Sequence, residues 1–339
     1  MLRVIALLIF CGTYLPQLQA QTDSLQNEYR QSFPDKFFLW PVLKKRQQSF
    51  EVDNKEDQIG KLNYKPNSSF NAGVGMYLFE VGVELTFAVP IDDRSTNTYG
   101  ASDVRDLQSN FLGKNWGVDL YTQKYSGFYV ANPNQGPSSP DAFIKRSDIE
   151  LRNTGMNVLY SLNKEKFSLK ASYNYSERQL KSAGSFIVTG TVNTFRLQAD
   201  SAVLPSVNLA SSASTPNFRQ FRYTALSVAP GYTYTLIYKS FFLNGVLSIG
   251  PAHYWLMDTG KDGNARYDIS INTFADVRVA LGYNGDRIFG GMSFITQSRN
   301  IHFEEVQFAN ANYTFKLMVG YRFREVGILK KRATDYIPK

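Results

Sequence analysis

The chain of 339 residues carries a formal charge of +8 and contains one cysteine and two histidines. Aromatic residues make up 14% of the sequence, whereas charged residues make up only 19%. A single cysteine excludes an internal disulfide framework. Together with two histidines it also supplies too few ligands for an ordinary zinc site.

Residues 1–20 have the organisation of a secretory signal peptide. Arg3 precedes an apolar run from Val4 to Leu15, and Ala20 provides a small residue for cleavage. The run is too short to span a membrane, which takes about 20 apolar residues. Lipidation at Cys11 is disfavoured because the bulky Phe10 precedes it. The expected mature chain has no cysteine, and for such an exported chain we expect no cofactor and no nucleic-acid partner.

Long runs of alternating apolar and polar residues follow. They include 79–89, 226–238, 267–283 and 313–323, and in each the second face is small or polar. This pattern is typical of strands with lipid on one side and a lumen on the other. It predicts an all-β, antiparallel, up-and-down transmembrane barrel in the outer membrane of a Gram-negative bacterium. An exported all-β domain with its apolar face turned inward is the alternative.

The turn segments predict the topology. Short breaks near 77–78 and at 113–115, 163–166, 238–240 and 284–287 are assigned to the periplasm, and the longer polar segments between hairpins to extracellular loops. The count is about twelve strands within residues 36–323, with fourteen as the alternative. Residues 21–35 and the basic tail 324–339 are then periplasmic. Residues 185–197 look like a strand but alternate poorly, and the even strand count leaves them no single crossing. Residues 181–219 are therefore assigned to an extracellular insertion or a plug segment.

The lumen-facing phase of the strands contains many charged residues, which are the candidate pore lining. They are Glu80, Glu84, Asp106, Asp119, Lys170, Asp268, Asp276, Arg278, Lys316 and Arg322. Rings of charge select ions or small polar solutes in pores. The sequence therefore predicts a narrow channel or solute-binding pore, open or plugged. A salt-bridged filling in a structural or assembly barrel that binds envelope partners is the alternative.

A membrane-embedded lipid hydrolase is a third hypothesis. It needs a histidine beside a nucleophile, usually two residues away on one strand face. His253 has Pro251 and Trp255 at that spacing, and His302 has Asn300 and Glu304. We therefore expect no enzymatic activity and no metal site.

The segment "VGYRF" near the C-terminus resembles the signal that the barrel-assembly machinery reads, with Gly320, Tyr321 and Phe323 as its main residues. The basic residues near the rims suit lipopolysaccharide phosphates. The tail after Phe323 is a candidate docking segment for an envelope protein.

Several motifs resemble a family of Gram-negative barrel proteins, domain-of-unknown-function family 4421. They are "SFPDKFFL" (32–39), "YKPNSSFNAGVG" (64–75), "DLQSNFLGKNWGVDLYTQKYSGFY" (106–129), "KSAGSF" (181–186), "ADSAVLP" (199–205) and "GYRF" (320–323). The resemblance covers nearly the whole mature chain and implies an outer-membrane barrel without an assigned reaction. The basic tail departs from the family pattern.

Overall fold

The computed structural model describes residues 28–54, 61–78, 81–131, 143–203, 218–259, 265–303 and 306–325. The predicted signal peptide, Glu80 and most of the basic tail lie outside the described residues. The elements in chain order are β1 (Arg30–Ser32), β2 (Lys36–Asn54), β3 (Leu62–Lys65), β4 (Phe70–Leu78), β5 (Val81–Ala88), α1 (Asp93–Tyr99), β6 (Asp103–Leu112), β7 (Trp116–Val130), β8 (Lys145–Ser161), α2 (Leu169–Tyr173), β9 (Glu177–Gln179), β10 (Ala183–Gln198), β11 (Gln220–Tyr238), β12 (Phe241–Thr259), β13 (Ala265–Asn284), β14 (Ile288–Phe303) and β15 (Val306–Arg324).

The long strands close into an antiparallel barrel. Each strand from β10 to β15 pairs with the next, β15 pairs with β2, and β8 connects β10 to β7. The ring closes between β2 and β7 through the short strand β3, which pairs with Phe50–Val52 on one side and with Tyr129 and Val130 on the other. The closed ring therefore has ten strands.

Strands β4, β5 and β6 lie between β2 and β7 and continue the wall from β3 toward the end of the barrel that carries the short turns, which we call the lower end. β4 pairs with the lower half of β2, β5 pairs with β4, and β6 pairs with β7. Among the pairings of the described residues, none joins β5 to β6, so the wall has a seam there. The predicted count of about twelve strands is therefore not met by the hydrogen-bonded ring.

The outward faces of the strands are apolar and exposed over a broad band. Phe87 on β5 and Ile271 on β13 are 75% and 71% exposed, and Val83, Leu85, Ile269 and many others share their face. Exposing such a surface to water is unfavourable in free energy, whereas contact with the hydrocarbon layer of a membrane is not. The fold is that of an outer-membrane β-barrel, as predicted, and the alternative with an inward apolar face is wrong.

The prediction for residues 181–219 is wrong over its first half. Residues 183–198 form β10, which pairs with β8 and β11 and lies within the barrel wall. The alternation was obscured because both faces carry apolar residues. Phe186 and Val192 point outward, while Phe195 and Leu197 are buried inside. Residues 204–217 lie outside the described part of the chain.

A different segment fills the end of the barrel that carries the short turns, which the sequence analysis assigns to the periplasm. Residues 162–182 leave β8, form α2 and β9, and return to β10, while β9 pairs with β1. We name residues 162–182 the periplasmic plug. Among the residues that the structure describes, no helix is long and apolar enough to cross a membrane.

Candidate functional site: the barrel interior

The barrel interior brings together most of the predicted pore-lining residues. Seven of the ten point inward, namely Glu84, Asp106, Asp119, Asp276, Arg278, Lys316 and Arg322. The interior has three layers: an ionic middle layer that holds six of the seven, an aromatic layer around the periplasmic plug that holds Arg322, and an apolar layer at the end assigned to the extracellular side.

The first ionic group in the middle layer is centred on Glu84 of β5. Its carboxylate pairs with Lys44 of β2 and lies 2.5 Å from Lys316 Nζ of β15. Trp40 Nε1 donates a hydrogen bond to Glu84 Oε1 at 2.9 Å. Trp40 fits there because Gly75 of β4, directly opposite in the sheet, has no side chain to meet the indole. The group ties the extra strands β4 and β5 to the closed ring.

The second group is centred on Asp106 of β6. Gln123 Nε2 and Tyr125 Oη both donate to Asp106 Oδ2 at 2.7 Å. Arg46 Nη1 of β2 lies 3.5 Å from Asp106 Oδ1. The carboxylate thus bridges β6 and β7 to the facing strand β2 and holds one side of the seam.

The third group is the most deeply buried. Arg278 Nη2 lies 2.8 Å from Asp276 Oδ2 and 3.1 Å from Asp119 Oδ2, which joins β13 to β7 across the lumen. The Asp276 side chain has no exposure to solvent. Gln297 Nε2 also donates to Asp276 at 3.3 Å. Two carboxylates around one guanidinium compensate its charge in a place where an unpaired ion would be costly.

Amide side chains connect these groups across the lumen. Asn153 Nδ2 donates to Gln48 Oε1 at 3.1 Å and to Gln123 Oε1 at 2.8 Å, and Asn157 donates to Gln297 at 3.1 Å. Gln123 lies on the neighbouring strand β7, whereas the contacts with Gln48 of β2 and Gln297 of β14 join β8 to strands that are not its neighbours in the sheet. The middle layer is therefore a cross-linked polar filling.

The periplasmic plug is held by buried side chains of the wall. Asn284 Nδ2 donates to the carbonyls of Ala171 and Glu177 at 3.0 Å each, and Arg322 Nη2 donates to the Tyr175 carbonyl at 2.6 Å. Arg322 also contacts three aromatic rings, with its guanidinium carbon 4.0 Å from the centroid of Phe33.

Tyr175 occupies a strained position at the centre of the plug. Its φ of 59° lies in the left-handed region, which costs a bulky residue about 1–3 kcal/mol. The ring packs 5.1 Å from Phe289 and 5.8 Å from Phe242. Its hydroxyl reaches the wall where Gly282 and Gly291 face each other, and a Cβ at either glycine would lie 2.7–2.8 Å from it. Two wall glycines therefore leave the space that the plug uses.

The extracellular layer is apolar and aromatic around one buried arginine. Phe50, Phe195, Phe221 and Phe308 pack together in its centre, with ring distances of 4.7–5.8 Å among the contacting pairs. Arg299 is 2% exposed, and its guanidinium lies 4.9 Å from the Phe274 centroid. This layer closes the upper lumen over the described residues.

Three predicted pore residues stand elsewhere. Lys170 lies in α2 of the plug and not on a strand. The sequence "FSLKASY" (167–173) alternates like a strand, but Ser168 caps the N-terminus of a short helix there. Asp268 has inward phase but is exposed at the upper end of β13, where it accepts a hydrogen bond from Ile269 N. Glu80 lies outside the described residues. Three inward cations were missed by the sequence analysis, namely Lys44, Arg46 and Arg299. Around these positions β2 and β14 carry polar residues on both faces, so alternation does not show which side chains point inward.

The histidines lie away from the ionic layer. The His253 ring packs on Trp255 at 4.4 Å on β12. His302 Nδ1 lies 2.8 Å from Asn272 Oδ1, and Ser270 Oγ donates to the His302 carbonyl at 3.2 Å. Folding thus brings a serine to His302 that strand spacing did not predict, but the hydroxyl contacts the backbone and not the imidazole.

The predicted assembly signal lies on the last strand. Tyr321 and Phe323 point outward, and Phe323 stacks on Phe37 of β2 at 5.1 Å. Gly320 faces inward beneath the Phe289 ring, where a side chain would meet that ring. The two aromatic rings stand where the periplasmic girdle of a barrel is expected.

No curated protein matches the chain. Among solved structures, the outer membrane protease OmpT from Escherichia coli matches with a TM-score of 0.40 and 9% identity, over 86% of this chain and 98% of that chain. The translocator domain of the autotransporter NalP from Neisseria meningitidis matches with a TM-score of 0.32 and 8% identity, over 84% and 88%. A family model described as "Domain of unknown function (DUF4421)" matches residues 21–323. The chain belongs to this family.

Proposed function

We propose that the protein is a closed barrel of the Gram-negative outer membrane that acts through its surfaces, as a structural or partner-binding component. The observation that carries this proposal is the filling of the lumen at three levels. The cross-lumen pair of Arg278 and Asp119 at 3.1 Å lies at its centre. A filling of paired charges and amides stiffens a barrel at little net electrostatic cost. Its partners are outer-membrane lipid, the barrel-assembly machinery through Gly320, Tyr321 and Phe323, and an envelope protein.

Single-channel recording of the full refolded barrel tests this proposal. We expect no stepwise conductance and no swelling of liposomes in small sugars. Steady conductance whose ion selectivity changes in an Arg278→Ala variant would refute it.

The second candidate is the narrow channel or solute-binding pore, gated by the periplasmic plug. It is favoured by the charged middle layer and by the way the plug is held. Side chains such as Asn284 and Arg322 fix it to the wall, while its only strand, β9, pairs with β1 and not with the ring. A combined Asn284→Ala and Arg322→Gln variant weakens these contacts. Conductance that appears in this variant alone would favour a gated pore.

The hydrolase is the third candidate. Lipid turnover by the wild-type barrel that is lost in His302→Ala or His253→Ala would support it, and a wild type without turnover ends it.

A further inference from the structure

Five basic residues stand side by side on the outer wall. In the register of the sheet, each pairs with the next across β6, β7, β8, β10 and β11, and all five point away from the lumen. They are Arg105, Lys124, Arg152, Arg196 and Arg222. We name them the basic row.

The basic row is only partly neutralised within the described residues. Glu150 lies 2.8 Å from Lys124 and 2.7 Å from Arg152, and Asp103 lies 3.6 Å from Arg105. Five cations thus face two carboxylates. Like charges directly opposite each other on a sheet are destabilising. The row therefore weakens the isolated wall unless anions from outside compensate it.

Arg196 and Arg222 have neutral partners. Arg196 Nη2 donates to Gln198 Oε1 at 3.2 Å, and Arg222 Nη2 lies 2.6 Å from the sulfur of Met257. This half of the row carries most of its uncompensated charge.

The basic row marks the edge of the apolar band. Two residues further down the same strands stand the paired threonines Thr122, Thr154, Thr194 and Thr224. Below them is an apolar row of Leu120, Met156, Val192 and Leu226. The wall therefore passes from charge to hydroxyl to hydrocarbon within a few residues on β7, β8, β10 and β11, whereas on β6 Leu107 already follows Arg105 on the outward face.

A groove of about 650 Å³ lies on this part of the wall. Its lining includes Arg105, Lys124 and Arg152 from the basic row and Thr122 and Thr154 from the threonine row. The Thr122 and Thr154 hydroxyls lie 3.0 Å apart and can also bond to a ligand. A concave surface with clustered cations above hydroxyls suits a phosphorylated sugar headgroup.

We propose that the basic row and its groove bind the phosphorylated diglucosamine of lipid A in the outer leaflet. The lipid phosphates pair with the arginines and Lys124, and the sugar hydroxyls form hydrogen bonds with the threonines. The acyl chains cover the apolar row. Arginine matches phosphate through paired hydrogen bonds, and basic residues at a membrane surface attract anionic headgroups. The inference depends on the proposed outer-membrane location but not on whether the lumen conducts.

The test compares lipid A with its dephosphorylated form, which keeps the same acyl chains. The barrel is placed in nanodiscs of zwitterionic phospholipid with one or the other, and bound lipid is counted by native mass spectrometry. We expect the wild type to bind the phosphorylated form at least about tenfold more tightly, and the combined Arg152→Gln, Arg196→Gln and Arg222→Gln variant to lose this preference. Equal binding of the two forms by the wild type overturns the proposal, whatever the variants do.

A matched control removes three cations from periplasmic turns instead. The combined Lys114→Gln, Lys164→Gln and Lys239→Gln variant changes the net charge equally, at exposed positions on the opposite rim. We expect it to keep the wild-type preference. An equal loss in both variants, or equally tight binding of phosphatidylglycerol by the wild type, would refute a lipid A site in favour of general attraction to anionic lipid.

Discussion

Arg278 is the residue on which the middle layer most depends. Replacement by alanine leaves the Asp276 carboxylate, which has no solvent exposure, without its cation. Removing one partner of a buried ion pair typically costs about 3–5 kcal/mol. We expect Arg278→Ala to lower the free energy of unfolding of the barrel in lipid vesicles by an amount of this order, measured by urea titration.

The control for this prediction is a double variant. In Asp276→Asn with Arg278→Gln the buried carboxylate is removed together with its cation, and only Asp119, whose side chain is 20% exposed, loses an ionic partner. The loss of stability should therefore be smaller than in Arg278→Ala alone. A double variant that is less stable by the sum of the two single effects would mean that the ionic interaction is not what stabilises this layer.

Asp148 makes the extracellular end sensitive to acid. It lies on β8 beyond the outward-facing Glu150 and Arg152, and so outside the membrane-spanning part. The Arg146 guanidinium at 2.8 Å holds the pKa of Asp148 below its ordinary value of 3.8, and Ser201 contributes two further hydrogen bonds. Because the pKa is depressed in the folded state, the stabilisation is present above about pH 4 and is lost as the pH falls below it. We expect hydrogen exchange around Ser201 to rise in acid and to be already raised at neutral pH in Asp148→Asn. An acid-insensitive wild type would contradict this.

Alternation was sufficient to predict which way most single charges point. Glu84, Asp119, Asp276, Arg278 and Lys316 all have the predicted inward phase. It could not predict what they meet, because the partners lie far apart in the sequence: Arg278 and Asp119 are 159 residues apart. Nor could it identify Arg46, since Lys45 and Gln47 on the opposite face of β2 are polar too.

The seam between β5 and β6 is the main departure from an even wall. Unpaired backbone groups cost several kcal/mol each in a hydrocarbon layer, where water is absent. We therefore expect the two strands to meet in the membrane and complete a wall of twelve crossings. Leu85→Cys combined with Leu107→Cys, Ser109→Cys or Phe111→Cys should then cross-link through a thiol-reactive linker in at least one pair.

Ala72→Cys with Phe87→Cys is the positive control, since these residues face each other in the β4–β5 pairing. Efficient cross-linking there, with none from position 85 to β6, would mean that the seam stays open in lipid.

The periplasmic plug is the element that periodicity predicted least. Its first residues match the expected turn at 163–166, but the chain then packs inward where a strand was expected to begin. Tertiary contacts with Phe289, Asn284 and Arg322 determine this path, and local sequence does not encode them. We expect Asn284→Ala, which orphans two buried carbonyls, to destabilise the plug by about 1–3 kcal/mol. Faster proteolysis between 163 and 181 in this variant, but not in an exposed control such as Asn300→Ala, is the measurement.

At the scale of the whole molecule, the class of fold follows from composition and alternation, whereas the state of the lumen does not. An outward apolar band with a polar inner face requires a barrel in lipid. The same inner face could line a channel or fill a core, and only cross-lumen distances distinguish the two. The short contacts between β7 and β13 and between β8 and β14 are those of a filled interior.

A filled interior makes one more prediction about the intact barrel. Ser248 has no solvent exposure and lies 3.2 Å from the Thr189 hydroxyl inside the middle layer. Because the expected mature chain lacks cysteine, Ser248→Cys introduces a single, nearly isosteric thiol. We expect this thiol to react with a water-soluble reagent only after unfolding, whereas Gln198→Cys on the exposed outer face should react at once. Rapid reaction at position 248 in the folded barrel would mean that water and small solutes reach the middle layer, and the channel would then be the better account of the molecule.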